Sequence, residues 1–186
     1  MVDGISQNIV IENLPVTGAI IGGILGSAVG AAVPLIYARR HSKTERTLIF
    51  FREFSSKEMS QTRSEASLYL EKHLHCNLHG ENYDSAIEKA SIPVWTVARF
   101  YHSLWINIDH GEVRPRMTAS LFGSIFIWWY LVYLKDALHP SWQISTDLMR
   151  FSSWLPRFAG ADFIDWQDEA VKDRVRREAA LSRIGS

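Results

Sequence analysis

Cysteine is almost absent from this 186-residue chain, which contains a single one, Cys76. One thiol excludes a framework of internal disulfides and suits a reducing compartment. Basic residues are absent from the N-terminal part, because the first lysine or arginine is Arg39, and residues 39–186 carry all 20 basic and 18 of the 20 acidic residues. A balance of about +2 over that stretch is too small for the clustered basic face that binds nucleic acid. We therefore expect no nucleic-acid partner.

Signatures of the common enzyme classes are missing as well. The chain has no G-x-x-x-x-G-K-[ST] or G-x-G-x-x-G phosphate loop, no H-E-x-x-H or C-x-x-C motif and no G-x-S-x-G nucleophile elbow. The polar–apolar alternation of strands, internal repeats and low-complexity tracts are also missing. These gaps favour an all-α, non-enzymatic protein and give no reason to expect a cofactor.

A long uncharged run is what the N-terminal part does contain. Residues 16–38, VTGAIIGGILGSAVGAAVPLIYA, are 23 positions without a charge. As a helix they span about 34 Å, compared with roughly 30 Å for a bilayer core. A cleaved signal peptide has a basic N-terminal region and a shorter apolar run, whereas the residues before this run are acidic. The run predicts a single transmembrane helix, with the lipid bilayer as its partner.

Basic residues crowd the C-terminal flank of this run at Arg39, Arg40, Lys43 and Arg46, and Tyr37 supplies an interfacial ring. Positively charged flanks remain on the cytoplasmic side of a membrane. The expected topology therefore has the N-terminus outside a bacterial inner (plasma) membrane and the C-terminal domain in the cytoplasm.

Glycine recurs at every fourth position of the run, at Gly18, Gly22, Gly26 and Gly30. Positions i and i+4 share a helix face, and overlapping GxxxG steps let a second membrane helix approach closely. The strongly apolar residues contribute only about −3 to −5 kcal/mol to insertion, so helix packing should add stability. This glycine zipper predicts association with another transmembrane helix, from a second copy or from a subunit of a membrane complex.

Helical periodicity and capping signals continue after the basic residues. Ser55 and Glu58 match the S-x-x-E capping box that opens a helix, and Gly111 and Pro140 are predicted to end two later helices. The expected fold is all-α, with an N-terminal single transmembrane helix followed by a compact helical bundle. The helices predicted after the anchor cover 47–54, 55–75, 91–110, 115–138, 146–158 and 161–183.

The last of these helices is acidic in its first half and basic in its second, which complements the helix dipole. Asp168–Lys172 and Asp173–Arg177 have the i,i+4 spacing of ion pairs, so we expect a solvated helix that stabilises itself. The chain as a whole divides into a short extracytoplasmic segment (1–15), the transmembrane anchor (16–38), a basic collar with a juxtamembrane helix (39–54), a helical domain (55–160) and the charged C-terminal helix (161–186).

Residues 117–134, MTASLFGSIFIWWYLVYL, form a second uncharged run of 18 residues, at the threshold for a membrane span. Its tryptophans and tyrosines lie within the run rather than at its two edges. Arg116 and Lys135 flank it symmetrically and indicate no orientation. A second span and the buried central helix of a bundle both remain open.

One group of potential metal ligands stands out, namely His73, His75, Cys76 and His79. Imidazole and thiolate are ligands that suit zinc or copper. The asparagine and glycine around these residues indicate a helix end, so a histidine-rich terminus without metal is the alternative. His102, on the following helix, is expected to be a buried, hydrogen-bonded histidine rather than an acid–base catalyst.

From Leu48 to about Phe158 the chain resembles a bacterial family catalogued as domain of unknown function 4760. The resemblance is carried by the segment VARFYHSLWINIDHGEVRPRMTASLFGSIFIWWYLVYLKD. It implies a membrane helix followed by a compact helical domain, and a bacterial origin, but no activity and no catalytic residue. The matching landmarks are Phe100, Leu104, Gly111, Phe122, Gly123, Trp128, Trp129 and Tyr130.

The leading hypothesis is a membrane-tethered, non-enzymatic interaction module that assembles through the glycine zipper, as an accessory subunit or a self-associating scaffold. A metal-binding enzyme or sensor that uses the histidine–cysteine cluster is one alternative. A membrane-permeabilising effector is another, since helices rich in small residues can assemble into pores.

Overall fold

The computed structural model describes residues 14–72 and 91–184, with side-chain surroundings for Gly30 and for residues 32–72 and 91–180. Every element in these ranges is helical, so the predicted all-α class is confirmed for them. The helices are α1 (Leu14–Phe54), α2 (Lys57–Lys72), α3 (Ile92–Asp109), α4 (Pro115–Ala137), α5 (Gln143–Trp154), α6 (Pro156–Ala159) and α7 (Asp162–Ile184).

The chain divides into two compact units, and the boundary falls between Ser42 and Lys43. Helix α1 contributes residues to both units, which confirms the prediction that residues 47–54 continue the helix of the uncharged run. The second unit is a helical bundle whose core is rich in aromatic residues. Its largest fully buried side chains include Tyr101, Phe122, Phe126 and Phe151.

Helix α3 buries a broad apolar stripe and ends at the glycine that the sequence indicates. Gly111 has a φ of 66°, a conformation that costs little only for glycine. The amide of Glu112 donates to the carbonyl of Asn107 (2.8 Å), and the amide of Gly111 donates to that of Ile108 (2.9 Å). This is the Schellman arrangement, which satisfies carbonyls at a helix end.

The start of α2 differs from its prediction by one residue. The capping side chain is Ser56, whose Oγ accepts a hydrogen bond from the amide of Met59 at 3.1 Å. Ser55 instead belongs to the last turn of α1, because its amide donates to the carbonyl of Phe51 at 2.9 Å. The Ser55–Glu58 capping box was therefore wrong, and α2 begins at Lys57.

Helix α4 ends within one residue of the predicted range 115–138, but it is not a regular α-helix throughout. Residues Tyr130–Leu134 form a π-helical turn between the α-helical segments Pro115–Trp129 and Lys135–Ala137. The amide of Lys135 donates to the carbonyl of Tyr130, five residues back. Single π turns of this kind occur within α-helices, frequently at functional sites. Of the residues in this one, Tyr130, Val132, Tyr133 and Leu134 are buried.

Helix α4 is also the second uncharged run of the sequence. Among the residues whose side-chain surroundings the structure describes, which include only the last part of the N-terminal uncharged run, α4 is the one helix long and apolar enough to cross a membrane. However, 56% of its most apolar stretch of 18 residues is buried, and Phe122, Phe126 and Ile127 have no exposed surface. In this structure α4 is the central helix of the bundle, an environment that such a composition also suits.

Helix α7 packs on α4 at a close approach. A Cβ placed on Gly123 would lie 2.5 Å from Cζ3 of Trp166, so the glycine is required where the two helices touch. Of the two ion pairs predicted along α7, Asp173–Arg177 forms at 3.0 Å. The Asp168–Lys172 pair is not found among the ion pairs of the described residues, where both side chains are exposed to solvent.

Candidate functional site

A cluster of polar side chains joins α2, α4 and α7 at the π turn. Arg177 of α7 donates to the hydroxyl of Tyr133 at 2.8 Å and to the carboxylate of Glu71 on α2. The Tyr133 hydroxyl in turn donates to Oε1 of Glu71 at 3.0 Å. One guanidinium thus connects three helices that are far apart in sequence.

Asp173 and Trp128 complete this group. The Trp128 indole N–H donates to Oδ2 of Asp173 at 2.9 Å, and Arg177 Nε donates to the same oxygen at 3.0 Å. The guanidinium of Arg177 also lies 5.3 Å from the centre of the Trp128 ring. We call these residues the Arg177 cluster, consisting of Glu71, Trp128, Tyr133, Asp173 and Arg177.

The charge state of Asp173 follows from these contacts. Partial burial opposes ionisation of the carboxyl group, but the hydrogen bonds from Arg177 and Trp128 outweigh it and lower the pKa of Asp173. The group is therefore a carboxylate at neutral pH, held as an acceptor for two donors. It has no proton to give to a substrate.

A second arginine of α7 binds the π turn directly. Arg174 donates to the carbonyl of Leu131 at 3.3 Å, inside the π turn, where the regular i to i−4 ladder is interrupted. It also pairs with Asp136 at 2.5 Å and with Glu178 at 2.9 Å. Because an arginine presents several donors in a rigid fork, it can hold backbone and carboxylate groups together.

Asp147 on α5 is the most buried carboxylate of the described residues, and it faces His102 on α3. It accepts hydrogen bonds from His102 Nε2 at 3.0 Å, Gln143 Nε2 at 2.9 Å and Arg150 at 3.3 Å. Burial alone would raise the pKa of Asp147, but the bonds from Gln143 and His102 lower it overall. The predicted hydrogen-bonded role of His102 is confirmed, although its side chain remains 24% exposed.

Thr47, near the end of α1, is a fully buried polar residue that positions the turn before α4. Its hydroxyl donates to the carbonyl of Lys43 at 2.8 Å and accepts from the amide of Arg114 at 3.0 Å. Arg46 pairs with Glu112 in the same turn at 2.5 Å. The end of α1 is thereby joined to the α3–α4 connection inside the second unit.

These groups have a limited chemical repertoire. Among the described residues, no set of three or more histidine, cysteine, aspartate or glutamate side chains could hold a metal ion. The carboxylates of Glu71, Asp147 and Asp173 each accept hydrogen bonds from neighbouring side chains. Their arrangement connects helices through hydrogen bonds between charged and polar side chains.

Two depressions lie on the surface of the bundle. The larger, a groove of about 630 Å³, runs along α7 beside Trp128 and is lined by Asp165, Asp168, Glu169, Lys172, Asp173 and Arg176. The smaller, a cleft of about 270 Å³, lies beside the Asp147 group and is lined by Trp105, Met149, Arg150, Ser153, Trp154 and Arg157. Charged side chains dominate the first, and aromatic and basic side chains dominate the second.

The glycines and the membrane flank predicted from the sequence all fall on α1. Gly18, Gly22 and Gly26 lie within its helical range, but their surroundings are outside the described residues. Gly30 is exposed, and a Cβ added there would meet nothing within 4 Å. Tyr37 is 74% exposed.

The four basic residues of the flank divide between the two units. Arg39 and Arg40 are exposed in the first unit, whereas Lys43 and Arg46 belong to the second. Arg46 is engaged by Glu112, so part of its charge is balanced within the bundle. The proposed metal ligands His73, His75, Cys76 and His79 lie outside the described residues.

The sequence predicts the Asp173–Arg177 pair of the Arg177 cluster. The contacts of this pair with Glu71, Trp128 and Tyr133, and the role of Thr47, were not predicted. A signal for Thr47 was present in the sequence. A single threonine directly before the apolar segment LIFF suggests a buried polar group that makes hydrogen bonds. For Glu71 and Arg177 no such signal exists, because their spacing of 106 residues has no local pattern.

Comparisons of the chain with family models, with curated proteins and with solved structures each found no match. The resemblance to the bacterial family 4760 therefore stays a prediction. Most of its landmarks are core positions in the bundle, where apolar and aromatic side chains are expected in many helical folds. The buried ones are Phe100, Leu104, Phe122, Gly123, Trp129 and Tyr130.

Proposed function

We propose that this chain is a membrane-anchored, non-enzymatic interaction module, whose helix α1 crosses the membrane and packs on another transmembrane helix. The observation that carries the proposal is the contrast between two helical glycines. Gly123 is required by packing within the chain, since an added Cβ would lie 2.5 Å from Trp166. Gly30 has no neighbour within 4 Å of such a Cβ, so no contact with the described residues requires its small size.

The apolar surface around Gly30 supports the same proposal. Val33, Leu35, Ile36 and Tyr37 follow it on α1 and are between 55% and 74% exposed. A continuous apolar helix surface of this kind is stable in hydrocarbon and unfavourable in water. The proposed topology keeps the N-terminus outside a bacterial plasma membrane, because Arg39 and Arg40 remain exposed at the other end of the run.

Alkaline carbonate extraction tests the anchor. Membranes from cells that express the full chain should retain it after carbonate treatment, as an integral membrane protein does. A matched variant with Ile20→Asp and Ile24→Asp places two charges in the run and should appear in the supernatant. Release of the unaltered chain by carbonate contradicts the proposal.

Disulfide crosslinking tests the glycine face. Gly22→Cys and Gly26→Cys, each in a Cys76→Ser background, should form crosslinks in membranes, to a second copy or to another membrane protein with a cysteine. Ile24→Cys is the matched control, because it lies on the opposite side of the helix from Gly22 and Gly26. Equal crosslinking at all three positions, or none at any, argues against a glycine interface.

The two alternative functions remain hypotheses. The described residues provide no observation in favour of either, and the histidine–cysteine cluster lies outside them. Elemental analysis of the purified chain and of His79→Ala distinguishes a metal protein. Growth arrest on overexpression that is abolished by Gly22→Leu distinguishes a permeabilising effector.

A further inference from the structure

Helix α7 has one side that covers the bundle and another that carries an exposed apolar stripe. Ile164, Val171 and Val175 are 62%, 51% and 58% exposed. Their spacing of seven and four residues returns to a single face of the helix. We call this face, Ile164, Val171 and Val175, the α7 stripe.

A row of exposed charges runs beside the stripe. Asp165, Asp168, Lys172 and Arg176 are spaced by three or four residues and therefore share one flank of α7. The order of charge along the row is acidic, acidic, basic, basic. The same four side chains line the groove of about 630 Å³ beside Trp128.

From this charge order we propose that the α7 stripe is the contact of a homodimer, in which the α7 helices of two copies pack antiparallel. A two-fold axis near residue 170 brings each charged row onto the row of the other copy in reverse order. Asp165 then faces Arg176 of the second copy, and Asp168 faces Lys172 of the second copy. The apolar stripes meet between the rows.

Other binding partners of the α7 stripe would match its row of charges less well. A parallel pair brings opposite flanks of the two helices together, so the row would not meet itself. A uniformly basic or acidic partner would match one half of the row and be repelled by the other half. A partner helix matches all four positions only if it has the same order of charges and runs antiparallel to α7. The α7 helix of a second copy has that order of charges.

The contact goes beyond the proposed function, since it involves the bundle and not the anchor helix. It spans roughly three helical turns, which is small compared with the roughly 1,600 Å² of a standard interface. We therefore expect a weak dimer in detergent. Confinement of the chain to a membrane would raise its effective concentration and its dimer fraction.

Cysteine pairs test the orientation in the full chain, in a Cys76→Ser background, both in membranes and in detergent. Val171→Cys lies near the two-fold axis and should crosslink with itself. Ile164→Cys and Val175→Cys should each give a low yield of crosslinked dimer when expressed alone. When the two variants are coexpressed, the yield of crosslinks between them should be at least about fivefold higher. Leu68→Cys, which is equally exposed on α2 at 58%, sets the background of random collision.

Two outcomes overturn the dimer. The first is a Val171→Cys yield no higher than that of Leu68→Cys. The second is Ile164→Cys crosslinking with itself as strongly as with Val175→Cys, which indicates a parallel pair. Neither readout depends on α1, so a protein that fails the glycine crosslinking test can still pass this one, and the reverse.

Charge reversal tests the pairing of the rows. Asp165→Lys with Asp168→Lys makes the row wholly basic, and Lys172→Glu with Arg176→Glu makes it wholly acidic. Either variant alone should dimerise about tenfold more weakly, since four facing pairs become repulsive. Coexpression of the two should restore dimers as mixed pairs, which also shows that both variants fold. Dimers unaffected by either reversal, or not restored by mixing, contradict the proposal.

Discussion

Replacement of Gly123 by alanine tests how closely α4 and α7 pack. The new Cβ would lie 2.5 Å from Cζ3 and 3.0 Å from Cη2 of Trp166, and 3.4 Å from Leu155. The indole must therefore retreat by roughly 1 Å before the contact becomes ordinary. Trp166 is itself partly buried against the bundle, so its retreat disturbs the packing of α7.

Two effects of this substitution oppose each other. Overpacking of a filled site costs about 1–3 kcal/mol of the free energy of unfolding, whereas the better helix propensity of alanine returns about 1 kcal/mol. We expect Gly123→Ala to lower the free energy of unfolding by about 1 kcal/mol, measured by thermal or denaturant unfolding in detergent with circular dichroism. Trp166→Leu should remove the clash, so that alanine at position 123 becomes neutral or stabilising in that background.

Ser124→Ala is the matched control for Gly123→Ala, because Ser124 is exposed on the same turn of α4. It gains helix propensity without meeting Trp166 and should change stability by less than about 0.5 kcal/mol. If Gly123→Ala stabilises the protein as much as Ser124→Ala does, or if its effect is the same with and without Trp166, the close approach of α4 and α7 is refuted.

Three further perturbations probe the polar groups. Asp147→Asn should cost about 1–3 kcal/mol at pH 7. Since the folded-state pKa of Asp147 lies below its ordinary value of 3.8, this loss should shrink as the pH falls below that value. Thr47→Val should cost about 1–2 kcal/mol, because it leaves the partly buried amide of Arg114 without its acceptor. A double-mutant cycle of Glu71→Ala and Arg177→Ala should give a coupling of about 1 kcal/mol, since both groups are partly solvated.

Each of these three predictions has its own check by unfolding experiments. An Asp147→Asn deficit that is constant from pH 7 to pH 3 contradicts the assigned charge state. Thr96→Val is the control for Thr47→Val, since Thr96 makes the same i−4 hydrogen bond at 2.9 Å but is exposed. Additive effects in the Glu71 and Arg177 cycle show that the Arg177 cluster does not join α2 to α7.

Local patterns in the sequence were sufficient for most helices. The stop at Gly111 was predictable because a positive φ at a helix end is a property of one residue type. The helical continuation of the N-terminal run through residues 47–54 was predicted as well. The capping box failed by one position because two adjacent serines, Ser55 and Ser56, offer the same side chain, and only the length of α1 decides between them.

The π turn could not be predicted because its determinants are remote. Its carbonyl at Leu131 is bound by Arg174 and its Tyr133 is held by Glu71 and Arg177, which come from other helices. The periodicity of a single segment cannot report contacts at separations of 43 to 62 residues. The uncharged character of residues 117–134 is visible in the sequence, whereas the packing of α4 within the bundle is visible only in the structure.

The candidate surfaces were only partly visible in the sequence. The change from acidic to basic residues along α7 is evident in the sequence, and it predicts a solvated helix that stabilises itself. The exposure of Ile164, Val171 and Val175 depends on which side of α7 the bundle covers. The glycine pattern of α1 is evident in the sequence, whereas the surroundings of a glycine are seen only in the structure. An added Cβ would meet Trp166 at Gly123 and none of the described residues at Gly30.

The π turn of α4 is equivalent to one additional residue accommodated within an otherwise α-helical segment. Residues before Tyr130 and after Leu134 are consequently offset by about 100° from a single helical wheel. Any alignment of this segment with an unbulged relative would need a one-residue gap between positions 130 and 134.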